Sequence, residues 1–186
     1  MILTTPRLIL RDFVEDDWPA VLAYQRDPRY LRFYEWADRG EEDVRQFVQM
    51  FIEHQRQQPR TRFQLAVTLR NGGRLIGNAG IRLNGVDSHA AEIGYELAPD
   101  EWGKGYATEA AGEIVRFGFE ELGLHRIGAW TVAENTGSAR VLEKLGMSLE
   151  GRLRHYEHYK GRYWDVLMYG MVRGEAGDDP PKGTIP

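Results

Sequence analysis

The sequence predicts a mixed α/β (α+β) fold, a central and mostly antiparallel sheet of about seven strands with one parallel pair, flanked by about four helices. Three observations predict it. Asn71-Gly72-Gly73 and Asn84-Gly85 are turn signals between runs of alternating apolar residues, the pattern of antiparallel hairpins. Residues 90–133 read as strand, helix, strand, a unit that joins parallel neighbours through a right-handed crossover. Residues 148–172 are β-like on both sides of a turn at Lys160-Gly161-Arg162.

The elements follow in order. Residues 8–13 alternate as a short strand, with Leu8, Leu10 and Phe13 apolar and Arg7 and Arg11 polar. Asp16 or Asp17 then caps a helix with Pro19 in its first turn. Trp18, Val21, Leu22 and Tyr24 give its apolar side, and Asp27-Pro28 ends it. Residues 30–36 (YLRFYEW) are aromatic and irregular, either a wall facing a substrate or a small satellite core under a loop. Residues 41–58 form a second helix with Val44, Phe47, Val48 and Phe51 on one face, stopped by Pro59. Strands follow at 62–69, 74–83, 90–97 and 125–133. Residues 138–145 are a short helix capped near Thr136 and closed by Gly146. His155 and His158, three apart on a strand, are expected on opposite faces and make no metal pair; no His-Glu-x-x-His is present. Residues 1–173 read as one domain, and 174–186 (GEAGDDPPKGTIP) as a polar, proline-rich tail expected to be disordered.

The segment from Pro99 to Phe119 organises the chain. Trp102-Gly103-Lys104-Gly105-Tyr106-Ala107 is a glycine loop that feeds directly into a helix with apolar positions at Ala107, Ala110, Ala111, Ile114, Val115, Gly118 and Leu122. A helix N-terminus offers unpaired N–H groups and the positive end of the helix dipole, which suits phosphates. The loop lacks the G-x-x-x-x-G-K-[ST] of nucleotide triphosphate sites and the third glycine of the dinucleotide fingerprint. A lone G-x-G is weak, and on these residues alone a plain turn with close helix–sheet contact explains it equally well.

Composition narrows the classes. The 186 residues suit one domain with a substantial core, and 42% hydrophobic with 28% charged residues is ordinary for a soluble globular protein. A formal net charge of −4 with no basic block gives no nucleic-acid footprint. With no cysteine, no disulfide, thiolate zinc site or cysteine nucleophile exists. No secretory signal and no long apolar span is read, so a cytoplasmic location without membrane or nucleic-acid partners is expected.

Four stretches, AEIGYEL, WGKGYATEA, ENTGSARVLEKLGM and YKGRYWDVLMYGMV, together with TPRLILRDF near the start, resemble the GNAT superfamily of N-acetyltransferases. Within it they resemble the ribosomal-protein alanine/serine N-acetyltransferase branch. The resemblance runs from Leu3 to Val172. One departure is Trp102, where the family loop usually has Gln or Arg; Gly105 and the small Ala107 are kept, so the N–H cradle is expected to survive.

The resemblance implies acetyl-coenzyme A (acetyl-CoA) as co-substrate and no metal. Its pyrophosphate would be held by Trp102, Gly103, Lys104, Gly105, Tyr106, Ala107 and Thr108 through backbone N–H groups. In the family the strands before and after the loop splay, and the pantetheine arm lies in the gap like an added strand. That sets the backbone of Glu96, Leu97 and Ala98 beside the acetyl group, as donors to an oxyanion. Asn135 resembles the asparagine that bonds the pantetheine, although Asn-Thr-Gly is also an ordinary turn. Ser138 resembles a proton donor to the leaving thiolate, although a serine at a helix start is also a common cap. Glu157 matches an active-site glutamate of the branch, and Glu92 lies where other members keep a general base; a water chain is the third option.

The implied reaction is direct acetyl transfer without a covalent enzyme intermediate. The acceptor by resemblance is the N-terminal α-amine of a protein, ribosomal proteins among the candidates. A small-molecule amine (polyamine, amino acid or antibiotic) is the alternative. A non-catalytic acetyl-CoA sensor is a third reading, disfavoured because Ser138, Glu157 and Glu92 are all retained. A homodimer is compatible with the resemblance.

Overall fold

The computed structural model describes residues 1–174. Its eight-stranded sheet runs, in spatial order, β1 (Ile2–Thr4), β2 (Leu8–Asp12), β3 (Arg62–Leu69), β4 (Leu75–Leu83), β5 (Ala90–Leu97), β6 (Arg126–Val132), β8 (Arg162–Val172) and β7 (Ser148–Tyr159). Every neighbouring pair is antiparallel except β5–β6. That parallel pairing covers only Ala90↔Arg126, Ala91↔Ile127 and Glu92↔Gly128. Beyond it the pairing stops, and the carboxyl half of β5 has no strand neighbour on that side among the described residues.

The described helices are α1 (Trp18–Gln25), α2 (Pro28–Leu31), α3 (Glu41–Arg56), α4 (Tyr106–Glu120) and α5 (Thr136–Lys144). One core lies between the sheet and α4 and α5, with Leu65, Val67, Ile81, Ile93, Ile114, Phe117 and Ile127 among its members. A second core under α1 and α3 holds Phe13, Val21, Tyr24, Val44, Val48, Phe51 and Ala66. The apolar stripe predicted for α4 is buried at Ala110, Ala111, Ile114, Val115 and Gly118. Gly118 is where that helix presses closest on the sheet: a Cβ there would meet Ile127 Cδ1 and Ile81 Cδ1, each at 2.8 Å.

Two elements go beyond the expectation. β1 is three residues, too short to show a period, and exists because it pairs with the open edge of β2. Asp27-Pro28 ends α1 and also begins α2: the Asp27 carboxylate accepts the Arg29 N–H, and Pro28 takes the first helical position. Helix α5 is capped by Asn135, one residue before the expected cap. On β7 the ladder shifts register between Leu153 and Glu157, and His155 takes φ +53°. This break overrides strict alternation, so His155 and His158 both come against the Tyr163 ring, at 5.5 and 4.5 Å between centroids. Of the tail expected to be disordered, residues 175–186 lie outside the described residues. No helix among the described residues is long and apolar enough to cross a membrane.

Candidate active site

The glycine loop closes onto α4 through Gly105, which caps the helix with φ +82°, a left-handed conformation that glycine adopts without strain. The first bond into the helix is from the Glu109 N–H to the Gly105 carbonyl. The N–H groups of Tyr106, Ala107 and Thr108 therefore point forward from the helix start. Trp102 fastens the loop to the sheet, its indole N–H donating to the Leu97 carbonyl at 2.8 Å. Arg7 fastens the other side. Its Nε donates to Glu109 Oε2 at 2.6 Å, its Nη1 to the Lys104 carbonyl at 3.0 Å, and its guanidinium lies 4.5 Å from the Tyr106 ring centre. Thr5 adds a 2.6 Å bond to Glu109 Oε1. Burial works against the Glu109 charge, but the bonds from Thr5 and Arg7 outweigh it and hold the carboxyl below its usual range.

A cavity of about 510 Å³ opens from this loop into the gap where β5 leaves β6. The loop wall is Trp102, Gly103, Gly105, Ala107 and Thr108, and α5 contributes Ser138, Arg140, Val141 and Lys144. Asn135 accepts the Ser138 N–H through its side chain and so caps α5. Ser138 is therefore the capped residue, and its hydroxyl is free for other work. That hydroxyl lies 3.0 Å from the Tyr95 hydroxyl, which also lies 3.0 Å from the Ser138 carbonyl. Either hydroxyl can donate to the other, and with Tyr95 donating to Ser138 Oγ the serine proton is left for a group in the cavity. Burial lifts the Tyr95 phenol to about 12 against a smaller opposing effect of the Ser138 bond, so it stays protonated at neutral pH.

Glu96 forms the third wall. On β5 the side chains of Ala91, Ile93 and Leu97 enter the α4 core, so Glu96 turns to the opposite face. Its Oε1 accepts from Tyr24 Oη (2.7 Å), Gln25 Nε2 (2.9 Å) and Asn78 Nδ2 (2.6 Å). Its Oε2 accepts from Tyr30 Oη (2.6 Å) and Tyr34 Oη (3.2 Å). All these donors are neutral, and no basic group among the described residues forms an ion pair with it. Burial first, and the Glu96 charge second, push the Tyr24, Tyr30 and Tyr34 phenols well above their ordinary range. The rings stack in series, Tyr30 on Tyr34 at 4.4 Å and Tyr34 on Trp36 at 4.9 Å. The aromatic segment packs against the second core, and Tyr30, Phe33 and Tyr34 also line the cavity.

The model of the acetyltransferase (GNAT) domain matches residues 7–148. The chain belongs to the GNAT acetyltransferase family. It is 34% identical over 176 residues to an uncharacterised N-acetyltransferase, p20, of Bacillus licheniformis, covering 93% of this chain and 97% of that one. A GNAT-family acetyltransferase from Bacillus anthracis superposes with a TM-score of 0.81 at 32% identity, over 92% and 98% of the two chains. The RimL ribosomal L7/L12 α-N-protein acetyltransferase, solved with coenzyme A, superposes at 0.78 with 22% identity over 92% and 98%, a likeness of fold.

The GNAT residues read from the sequence separate into two groups. Glu96, Leu97, Trp102, Gly103, Gly105, Ala107, Thr108, Asn135 and Ser138 line the cavity. Ala98, Lys104 and Tyr106 do not: Lys104 turns its ammonium to Glu101, Tyr106 packs under Arg7, and Ala98 joins the second core. The Ala98 N–H donates to the Ile76 carbonyl at 2.7 Å, so it is not an oxyanion donor. Strand alternation turns the Leu97 N–H the other way, toward the gap left by β6. Glu92 lies in the still-paired half of β5, opposite Arg82 and Gly128, and Glu157 lies opposite Trp164 on β7; neither lines the cavity. Sequence reading missed Tyr95, Tyr30 and the Glu96 side chain as site groups. The one available signal was the aromatic density of residues 30–36.

The residues present fit acetyl-CoA. The loop offers forward N–H groups and the gap beside β5 offers a free strand edge. Arg140 and Lys144 stand one helical turn apart on the cavity wall and form no ion pair among the described residues.

Proposed function

We propose that this acetyltransferase acts on a primary amine, and specifically on the N-terminal α-amine of a protein or peptide. The observation that carries the reading is Glu96: a carboxyl group on the cavity wall that accepts hydrogen bonds from neutral donors only and is set among aromatic rings. Such a place attracts a cation, and an acceptor amine arrives as one. An α-amine has an ordinary pKa of about 7.7–8.0 against about 10.4 for lysine, so it asks less of a base.

Acetyl-CoA, when bound, supplies a thioester activated toward amines. The protein's part is then positional and electrostatic. The N–H groups at the start of α4 meet phosphate oxygens, each helix start contributing about 0.3–1 kcal/mol toward an anion. The Leu97 N–H, on the open side of β5, would be the donor available to the acetyl oxygen; a donor of this kind is worth roughly 10²–10³ in rate. Ser138 Oγ, with Tyr95 behind it, holds the proton given to the leaving sulfur. Arg140 and Lys144 supply positive charge for the outer phosphate groups.

The test is thiol release from acetyl-CoA with three acceptor sets: peptides with free N-termini, the same peptides N-blocked but containing lysine, and small amines. Release confined to free N-termini is the expected outcome. Release confined to small amines replaces this reading with a second one, which one observation favours. Tyr159 Oη donates to the Phe33 carbonyl at 3.0 Å and Lys160 Nζ to the Leu31 carbonyl at 2.6 Å, tying the β7–β8 turn over the aromatic wall. A roof in that position narrows the way in for a folded protein's terminus.

A further inference from the structure

Glu96 and Tyr30 line the cavity, which Glu157 and Glu92 do not. Tyr30 donates to Glu96 Oε2 at 2.6 Å and itself lines the cavity. A phenol that donates its one proton keeps its oxygen lone pairs free to accept. Donation into an anion also polarises that oxygen and makes it a better acceptor. The Tyr30 oxygen is therefore an acceptor for an ammonium N–H, with a carboxylate directly behind it. Tyr30 is held well above the ordinary phenol range, first by burial and then by Glu96, so it does not ionise by itself. It passes a proton only by surrendering its own at the same time.

The other donors to Glu96 are less suited. Tyr24 is not among the cavity-lining residues, and Tyr34 donates at the longer 3.2 Å. The groups facing the carboxylate are Tyr24 and Gln25 of α1, Tyr30 of α2, Tyr34 after it and Asn78 of β4. Arg32 and Glu101 are the nearest charged groups of the lining in chain position, and Glu101 is occupied by Arg74 and Lys104.

We propose that Tyr30 and Glu96 are the proton-accepting relay for the acceptor amine, Tyr30 Oη taking a proton from the ammonium as the Tyr30 proton passes to Glu96 Oε2. The assignment rests on the reading of the chain as an amine acetyltransferase. One N–H bond breaks and its electron pair stays on nitrogen, which becomes the nucleophile. An O–H bond forms at Tyr30 while the original one breaks, and a new O–H forms at Glu96, so tyrosine ends neutral. The second N–H proton leaves as the amide forms and reaches the departing sulfur through Ser138. The Glu96 proton then returns to water in the cavity. One proton is released per amide, as conversion of an ammonium to an amide and a thiol requires.

The experiment compares wild type, Glu96→Gln and Tyr30→Phe on two acceptors below pH 7. One is a peptide with a free N-terminal α-amine, charged at that pH; the other is an alkoxyamine, uncharged there and in no need of a base. Acetyl-CoA affinity is measured in parallel by calorimetry and is expected to stay within about twofold in both variants. With the charged amine, kcat/KM is expected to fall by roughly 10²-fold or more, the scale of general base catalysis. With the alkoxyamine the loss is expected to stay under about threefold. Equal losses on both acceptors overturn the relay, because disordered packing does not distinguish them. Should Glu96→Gln lose acetyl-CoA affinity, Tyr30→Phe, which keeps the ring and its stacking, decides by the same ratio. Wild type that binds acetyl-CoA and turns over neither acceptor overturns the functional reading and the relay with it. Turnover of both by wild type with equal losses in the variants overturns the relay alone.

Discussion

Arg7 stands just before β2, the second strand of the sheet, and its guanidinium bonds the first turn of α4 and the carbonyl of Lys104. Its side chain is 47% exposed, so the charge pair with Glu109 is screened and contributes modestly to stability. Its larger effect is on the loop, which it holds from the side opposite Trp102. Arg7→Ala is expected to raise the KM for acetyl-CoA by about tenfold, about 1.4 kcal/mol, with a smaller change in kcat. Steady-state kinetics with varied acetyl-CoA check it; an unchanged KM shows that Trp102 alone suffices. Ser138 and Tyr95 are argued at the same scale. Ser138→Ala and Tyr95→Phe are each expected to lower kcat by about tenfold or more without weakening acetyl-CoA binding. If they act as one pair, the double variant loses little more than either single one, and additive losses would separate their roles.

At the scale of elements, the decisive piece is the junction of β5, the glycine loop and α4. Gly105 has φ +82°, and a Cβ there would also lie 3.3 Å from Arg7 Nη2. Gly103 has φ +75° and nothing within 4 Å of a Cβ. Both positions disfavour L side chains by roughly 1–2 kcal/mol on backbone grounds. For Gly105→Ala, crowding of Arg7 adds to that strain. The expected result is a larger loss in Tm and in acetyl-CoA affinity for Gly105→Ala than for Gly103→Ala, read by thermal melts and calorimetry. Gly77 of β4 supports the same junction, because a Cβ there would collide with the Glu96 carbonyl. The gap beside β5 depends on a different element: β6 parts from β5 after three pairs while its other edge stays paired with β8 along its whole length.

At the scale of the molecule, Asp12, Glu101 and Glu109 are each held below the usual carboxylate range. Burial opposes the charge in all three and is outweighed by bonds from Arg60 and the N-terminus, from Arg74 and Lys104, and from Thr5 and Arg7, respectively. A depressed folded pKa means the unfolded chain binds protons first. These groups therefore contribute stability that is present above the unfolded value, about 4. It is lost as pH falls through the folded values. Melting temperature is expected to hold from pH 7 to about 5 and to fall below that. Glu109→Gln is expected to lower Tm at neutral pH and to flatten part of the acid slope; an unaltered slope would show that Glu109 titrates alike in both states.

The amino-acid order by itself determined the local elements and the loop. Period-two runs marked β2 to β6 and the β7–β8 hairpin, a three-four stripe marked α3 and α4, and the glycine spacing with a helix behind it marked the phosphate cradle. These signals are local: backbone angles, turn residues and one-sided burial are set within a few residues of each other. β1 and α2 were missed because three or four residues carry no period. Only the tertiary structure decided which of three strand glutamates lines the cavity. Glu92, Glu96 and Glu157 read alike along the chain, as acids on strands. Glu96 differs because Tyr24 and Tyr30, some 70 positions earlier, and Asn78 across the β4 ladder converge on it. Hydrogen-bond partners brought from α1, α2, the segment after it and β4 leave no spacing in the sequence, and it is their convergence that holds the Glu96 carboxyl group at the cavity wall.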